Sequence, residues 1–360
     1  MKVLALTKYG TLAASTRQRF LQYEPAFEEA GIELECSPLL DNDYLADVLA
    51  GRPPSAGSII RAYRRRWLSI RDARSADVIW LHCEFLPYWP AVAEIIAARM
   101  TARPIVFDFD DAIFHMYDEN GSLPVRLLLR DKLVPLLRRV HACTCGNAYL
   151  RDYAAAYCAN SIVVPTVVDT DKYKPAERRD DRRGVVIGWI GSPSTWRNVQ
   201  PMLPMLREVC AETGATLLAV GAGAAARGDH FPGLELRDWG EDSEIGDVQS
   251  MDIGIMPLVD RPFERGKSGY KLVQYMACGL PVVASPVGVN SEIVENGENG
   301  FLARDEPEWR DVLIRLLRDE NMRKELGASG RARAQERYSL ASQSPRLVDL
   351  FKTVAGVTPR

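Results

Sequence analysis

The chain has no uninterrupted apolar run of about 18 residues, the length that would cross a bilayer as a helix, so its sequence predicts no membrane span. It has no surplus of positive charge. Its 45 Lys and Arg stand against 48 Asp and Glu, for a net charge of -3 and a pI near 5.9, and a nucleic-acid partner is disfavoured for want of a general basic field. Its seven cysteines (Cys36, Cys83, Cys143, Cys145, Cys158, Cys210 and Cys278) lack paired metal-type spacings, which points to buried free thiols in a reducing compartment. No signal peptide is expected from the opening, where Met1-Lys2 runs directly into Val3-Leu4-Ala5-Leu6, an apolar run too short for one and of strand length. A cytoplasmic protein is the expectation.

What is present is enough apolar sequence for two cores, with 47% hydrophobic residues in 360. Short apolar or β-branched runs alternate with longer helix-period segments, the pattern of parallel sheets with crossover helices. The first half offers strands at Val3–Leu6, Ile32–Cys36, Val78–Leu81, Ile105–Phe107, Ala142–Thr144 and Ile162–Val164. The second offers Val185–Ile190, Thr216–Val220, Leu234–Leu236, Ile253–Met256 and Pro281–Ala284. Between them Pro165, Pro175 and a charged run through Arg183 mark a linker. The reading is α/β, with two Rossmann-like domains at 1–165 and 184–340, a linker at 166–183, and a cleft where the carboxyl ends of both sheets would bind ligand.

One segment is more informative than the rest. Ile253–Leu258 reads as a buried strand, Val259–Ser268 as a polar loop, and Tyr270–Cys278 as a helix stopped by Gly279. The helix would begin near Lys267-Ser268-Gly269, where free backbone amides attract anions. Spacings of four and three put Lys267, Lys271 and Gln274 on one face, with Leu272, Val273 and Met276 toward the sheet. That pattern suits a diphosphate ligand, and it equally suits an ordinary amphipathic crossover helix with solvated lysines.

The run Lys267-Ser-Gly-Tyr-Lys271-Leu-Val-Gln274-Tyr-Met-Ala-Cys-Gly279-Leu-Pro-Val-Val-Ala-Ser285-Pro-Val-Gly288, continued by Asn296-Gly-Glu-Asn-Gly300, resembles the donor-binding signature of family 4 glycosyltransferases of the GT-B fold. The resemblance implies a nucleotide-sugar donor, retention of configuration, and an acceptor that is a glycan, a lipid-linked molecule or a small molecule, as in polysaccharide or glycoconjugate synthesis. It also implies that the last helix, about 341–357, returns to the first domain. Family members usually carry two glutamates eight positions apart here, whereas this chain has Gly266 and Gln274, which marks a divergent subgroup. Glu264 is the candidate for a displaced first partner, and Gln274 for the ribose.

Further candidates follow from position. Ile187–Arg197 is a strand, a glycine turn at Gly191-Ser192 and a helix start with Ser194 or Thr195 as cap, and Arg197 is the basic residue for the donor phosphates. Gly221-Ala-Gly223-Ala-Ala-Ala226 fits the dinucleotide fingerprint formally, but no helix opens there, so Gly221, with Trp239, reads as bordering the nucleotide pocket. On the acceptor side stand Gly10, Arg17, Arg19, Glu84, Asp110, Asp111 and His115. Lys267, Asp110 and Glu84 are the catalytic candidates, although the leaving phosphate is thought to help deprotonate the acceptor in such enzymes. Asp108-Phe-Asp110 mimics the metal-binding Asp-x-Asp of a different glycosyltransferase fold, and neither metal nor cofactor is expected here.

Residues 59–74 carry Arg61, Arg64, Arg65, Arg66, Arg71 and Arg74 against Asp72 alone, with Ile60, Tyr63, Trp67 and Ile70 at helical spacing. Such a helix either packs on its own domain or contacts the inner face of a membrane. Two rival functions stay open: a sugar-nucleotide epimerase or phosphorylase of the same fold, and a non-catalytic nucleotide-sugar-binding protein.

Overall fold

The structure is a computed structural model that describes residues 1–49, 51–176 and 184–356. The charged part of the expected linker, 177–183, and Val357 of the expected last helix lie outside the described residues. The chain divides into two compact units, one of Met1–Thr166, Arg265–Ser268 and Leu340–Arg360, the other of Val167–Glu264 and Gly269–Ser339. The sequence reading put 265–268 in the second domain, whereas their contacts place these four residues with the first unit.

In the first unit six strands, β1 (Lys2–Leu6), β2 (Glu33–Cys36), β3 (Val78–His82), β4 (Ile105–Phe109), β5 (Ala142–Cys145) and β6 (Ser161–Val163), form one sheet in the order β2-β1-β3-β4-β5-β6. Every pairing is parallel. Every residue of β3 and of β4 is buried, as expected of strands covered by helices on both faces.

The second unit repeats the scheme with β7 (Val186–Ile190), β8 (Thr216–Val220), β9 (Leu234–Arg237), β10 (Ile253–Met256), β11 (Val282–Ala284) and β12 (Gly300–Leu302). Their order is β12-β11-β10-β7-β8-β9, again all parallel. Strand β12 went unread in the sequence because it opens on a glycine and offers only two apolar residues, without the β-branched run that marks β11.

Strand order reverses between β1 and β3 in the first unit and between β7 and β10 in the second. At such a switch point the loops leaving neighbouring strands diverge, and the space outside the carboxyl ends stays open for a ligand. The residues just after β1, β3 and β4, and just after β7 and β10, are therefore where function is to be sought.

The last helix, Leu340–Gly356, belongs to the first unit. Its Phe351 ring meets Trp80 of β3 edge-on at 5.0 Å and Phe27 at 5.4 Å, and all three side chains are buried. Phe351→Ala should cost about 3–5 kcal/mol through lost contacts and a residual cavity. Urea unfolding followed by tryptophan fluorescence measures this, and a loss under ~1 kcal/mol would show that the helix is no part of that core.

Candidate functional site

In the first unit, the loop after β1 turns at Gly10, where a Cβ would lie 2.3 Å from Asn42 Oδ1, the atom that accepts the Leu12 amide. The helix that follows, Ala14–Arg19, carries two of the arginines expected on the acceptor side. Arg17 donates to the carbonyls of Thr11 and Leu12 and so braces the loop. Arg19 is buried: Nε and Nη2 donate to the two oxygens of Asp108 at 3.0 and 2.5 Å, and Nη1 to the Val164 carbonyl at 2.6 Å. Thr144 Oγ1 also donates to Asp108, at 2.6 Å. Arg19 is thus corrected from a ligand contact to an internal tie, and Asp108 is spoken for as well.

The candidates that remain lie after β3 and β4. His82 Nδ1 accepts the Lys8 amide at 3.4 Å, which leaves the proton on Nε2, 3.1 Å from Asp110 Oδ1 though off the ideal hydrogen-bond direction. Cys83, held at φ 69, donates its thiol to the same Asp110 oxygen at 3.4 Å. Burial pushes the Asp110 carboxyl up, but the His82 ring, Arg19 and the Cys83 thiol together outweigh it and hold the group below the usual carboxylate range. His82, Cys83 and Asp110 offer ligand atoms within 4.8 Å of one another, the cluster among the described residues that has the make-up of a metal site.

Glu84 is buried beside them. Its Oε2 accepts from Lys132 Nζ and from the Tyr117 hydroxyl, each at 2.7 Å, while its Oε1 has no hydrogen-bond partner and stands 4.0 Å from Lys8 Nζ. Lys132 also reaches Glu94, at 3.3 Å, and burial pushes the Glu94 carboxyl up. Asp111 faces Lys267, whose Nζ donates to both carboxylate oxygens at 3.0 and 2.9 Å. Burial, aided by the neighbouring Asp110 charge, still pushes Asp111 up.

Lys267 therefore lies in the loop ahead of the helix Tyr270–Ala277, not on a helix face shared with Lys271 and Gln274, and Asn147 fixes its carbonyl at 2.9 Å. A Cβ on Gly266 would lie 2.4 Å from that of Ala112 and 2.8 Å from the Ala112 nitrogen, so a glutamate does not fit at this position. His115 is engaged on both ring nitrogens, by Asp118 at 2.9 Å and the Tyr149 hydroxyl at 2.8 Å. Ser268 packs beside Gly146.

In the second unit, Ser192, not Ser194 or Thr195, caps the short helix Pro193–Trp196, with Thr195 closing the reciprocal capping box. Gly221, at φ 80, passes so close to the Gly191 carbonyl that a Cβ would lie 2.2 Å from it. Gly191 in turn lies against Lys271: a Cβ there would come within 2.8 Å of Lys271 Cε. Lys271 Nζ sits 5.8 Å over the Trp189 ring. Two bare turns and one lysine therefore border the carboxyl end of β7. Arg197, exposed, donates to buried Glu264 at 3.1 Å.

Gly269 caps the Tyr270–Ala277 helix at φ 69, pressed against Ile293 and Val289. Within that helix Gln274 is buried, and its amide nitrogen donates to Glu244 at 2.7 Å and to the Tyr173 hydroxyl at 3.2 Å. The Tyr173 hydroxyl and Trp239 Nε1 donate to Glu244 as well, the latter at 2.7 Å. Glu244, His82, Cys83, Lys8 and Lys132 were missed in the sequence. His82 and Cys83 share the position after a strand that singled out Glu84, but nothing in the polar run around Glu244 distinguishes it.

Known proteins share the fold and part of the sequence. The family model of glycosyl transferases group 1 matches residues 184–319. A phosphatidyl-myo-inositol mannosyltransferase of Mycobacterium tuberculosis is 27% identical over 314 residues, 81% of this chain and 77% of that protein. The second unit therefore carries a glycosyl transferase group 1 domain, in a fold shared with GT-B glycosyltransferases. A D-inositol 3-phosphate glycosyltransferase of Corynebacterium jeikeium is 27% identical over 207 residues, 49% of this chain and 48% of its own. The fold is that of Anabaena HepE, solved with UDP and glucose, at a TM-score of 0.74 and 17% identity over 98% of this chain and all (100%) of that one. The comparisons do not favour the epimerase, phosphorylase or non-catalytic readings of this glycosyltransferase.

The Gln274–Glu244 contact makes a testable statement about the altered glutamate pair. Gln274→Glu would set a second carboxylate against Glu244, raising the apparent pKa of the pair above that of the unfolded chain. Such a variant is least penalised at low pH and loses stability as the shared proton leaves. Thermal melting should show a deficit of about 1–3 kcal/mol at pH 8 that shrinks toward pH 5. A deficit independent of pH would show that the two groups do not share a proton.

Proposed function

We propose that this glycosyltransferase binds the diphosphate of a nucleotide-sugar donor at the switch point of its second unit and transfers the sugar, with retention, to an acceptor hydroxyl held by its first unit. The observation that carries this is the close approach of Gly191 and Gly221 beside Lys271. Backbone free of side chains, with a cation alongside, is what a bulky anion needs. HepE, of the same fold, was solved with UDP and with UDP-glucose, and the mannosyltransferase relative is named for phosphatidylinositol, a lipid. A lipid-linked acceptor at the cytoplasmic face of a membrane fits that kinship.

In the reaction the bond between the anomeric carbon and the diphosphate breaks, and the acceptor oxygen bonds to that carbon on the same face. The acceptor proton passes to a phosphate oxygen of the leaving nucleotide. The protein's task is to stabilise the charge that develops on that diphosphate, which falls to Lys271 and Arg197 beside the side-chain-free turns at Gly191 and Gly221. Trp239 and Gln274 border the nucleoside. Asp110 and the unpartnered Glu84 Oε1 are the acceptors for incoming hydroxyls. Since side-chain cations serve the phosphates, no metal is proposed for turnover, and in the His82, Cys83 and Asp110 trio the Cys83 thiol holds the Asp110 carboxylate beside the His82 ring.

A thermal-shift panel of nucleotide sugars tests this: a donor at about 100 times its dissociation constant should add ~2.7 kcal/mol of stability. Lys271→Ala should weaken that donor about 10- to 100-fold, the worth of one or two charged hydrogen bonds, and no donor effect would end the phosphate assignment. Asp110→Asn should bind donor normally yet turn over about 100-fold more slowly. Turnover should survive dialysis against a chelator, and its loss, restored by a divalent cation, would move the mechanism to the His82 trio.

A further inference from the structure

In the first unit, exposed large apolar side chains lie on the helix Leu123–Leu129 and on the helices Ala56–Asp72 and Ala91–Thr101, and on the latter two they stand among arginines. On the first of these two, Ile60, Arg71, Arg64, Leu68 and Arg61 all face solvent, and at 100° per residue they fall within an arc of about 100°. Ile60 is 68% exposed. Asp72, the helix's one acid, is paired with Arg71 at 3.0 Å. The other two arginines of the helix are turned elsewhere: Arg65 donates to Asp41 and to the Leu39 carbonyl, and Arg66 is buried on the carbonyls of Ser37 and Thr7.

The second helix continues this surface. Trp89, just ahead of it, stacks on Tyr63 at 5.9 Å and meets Trp67 edge-on at 6.2 Å, which joins the two helices along one border. Val92, Ile96 and Arg99 follow Trp89 at spacings of three, four and three, and Val92 and Ile96 are 60% and 47% exposed. The one acid of this helix, Glu94, points inward to the amides of Phe85 and Leu86. The result is a continuous surface of apolar tips and arginines, in a chain whose net charge is -3.

We propose that this surface, Ile60 to Leu68 with Trp89 to Ile96, seats the protein on an anionic lipid bilayer. It deepens the preceding section's reading of a lipid-linked acceptor, and depends on that reading only for its biological sense. The argument is complementarity. Apolar tips enter the acyl boundary while arginines rising among them meet lipid phosphates, and an aromatic such as Trp89 suits the interface between the two. A second copy of the chain fits worse, because a symmetric contact would set the same arginines against each other.

Co-sedimentation with phosphatidylcholine vesicles, with and without phosphatidylglycerol, tests the surface. The protein should bind the anionic vesicles alone, and less as salt rises. Arg61→Glu with Arg64→Glu should weaken binding roughly twentyfold or more, since each arginine near the surface is worth about fivefold. Val92→Glu with Ile96→Glu should abolish it, with melting temperature and donor-induced thermal shift unchanged in both variants. Equal binding to neutral vesicles, no binding to either, or binding indifferent to the substitutions would overturn the proposal, as would a dimer in light scattering that Val92→Glu with Ile96→Glu dissolves. Because the donor shift is read in the same samples, a failure on vesicles with that shift intact sinks the docking surface and leaves the transferase reading standing.

Discussion

The first unit is organised around the bidentate pair of Arg19 and Asp108. Asp108 lies on β4 opposite His82 of β3, accepts from Thr144 of β5, and its partner arginine reaches the Val164 carbonyl just past β6. One guanidinium thus ties the loop helix after β1 to the strand ends that carry Glu84, Asp110 and Asp111. A buried charge pair offers little net stability over an apolar substitute, but losing either partner strands the other charge away from water. Its value here is positional, because His82, Cys83 and Asp110 keep their geometry only while those strand ends hold register.

Much of the architecture was legible. Strands such as Val78–Leu81 and Ile253–Met256 announce themselves because a strand covered on both faces must be apolar throughout. What escaped was decided by tertiary contact. Arg19 reads in sequence like any helix-start arginine, and only the fold shows a carboxylate waiting 89 positions away. Lys267 seemed to share a face with Lys271 because helical spacing was extended one turn too far, across Gly269, whose left-handed conformation marks where the helix begins. Glu244 stood in a polar run with nothing to set it apart from its acidic neighbours.

The missing glutamates have a physical explanation at both positions. At 266 the backbone lies against Ala112, so any side chain is excluded. At 274 the amide does what a carboxylate could not, donating to Glu244, so the negative charge resides on a different helix, Glu244–Gln249. Trp239 and Tyr173 converge on that same carboxylate. At 274, the charge that the sequence resemblance led one to expect thus stands on Glu244, inside the same second unit.

The helix Leu340–Gly356 gives the molecule an order of assembly in time. A ribosome makes the first unit's sheet early, yet Trp80 and Phe27 wait for Phe351, which appears only after the whole second unit has been made. Until then the nascent first unit keeps an aromatic surface uncovered, and domain-by-domain maturation from the amino end cannot be completed. Synthesis of the second unit proceeds during that interval, so the protein's need for chaperone protection should track translation speed through residues 167–339.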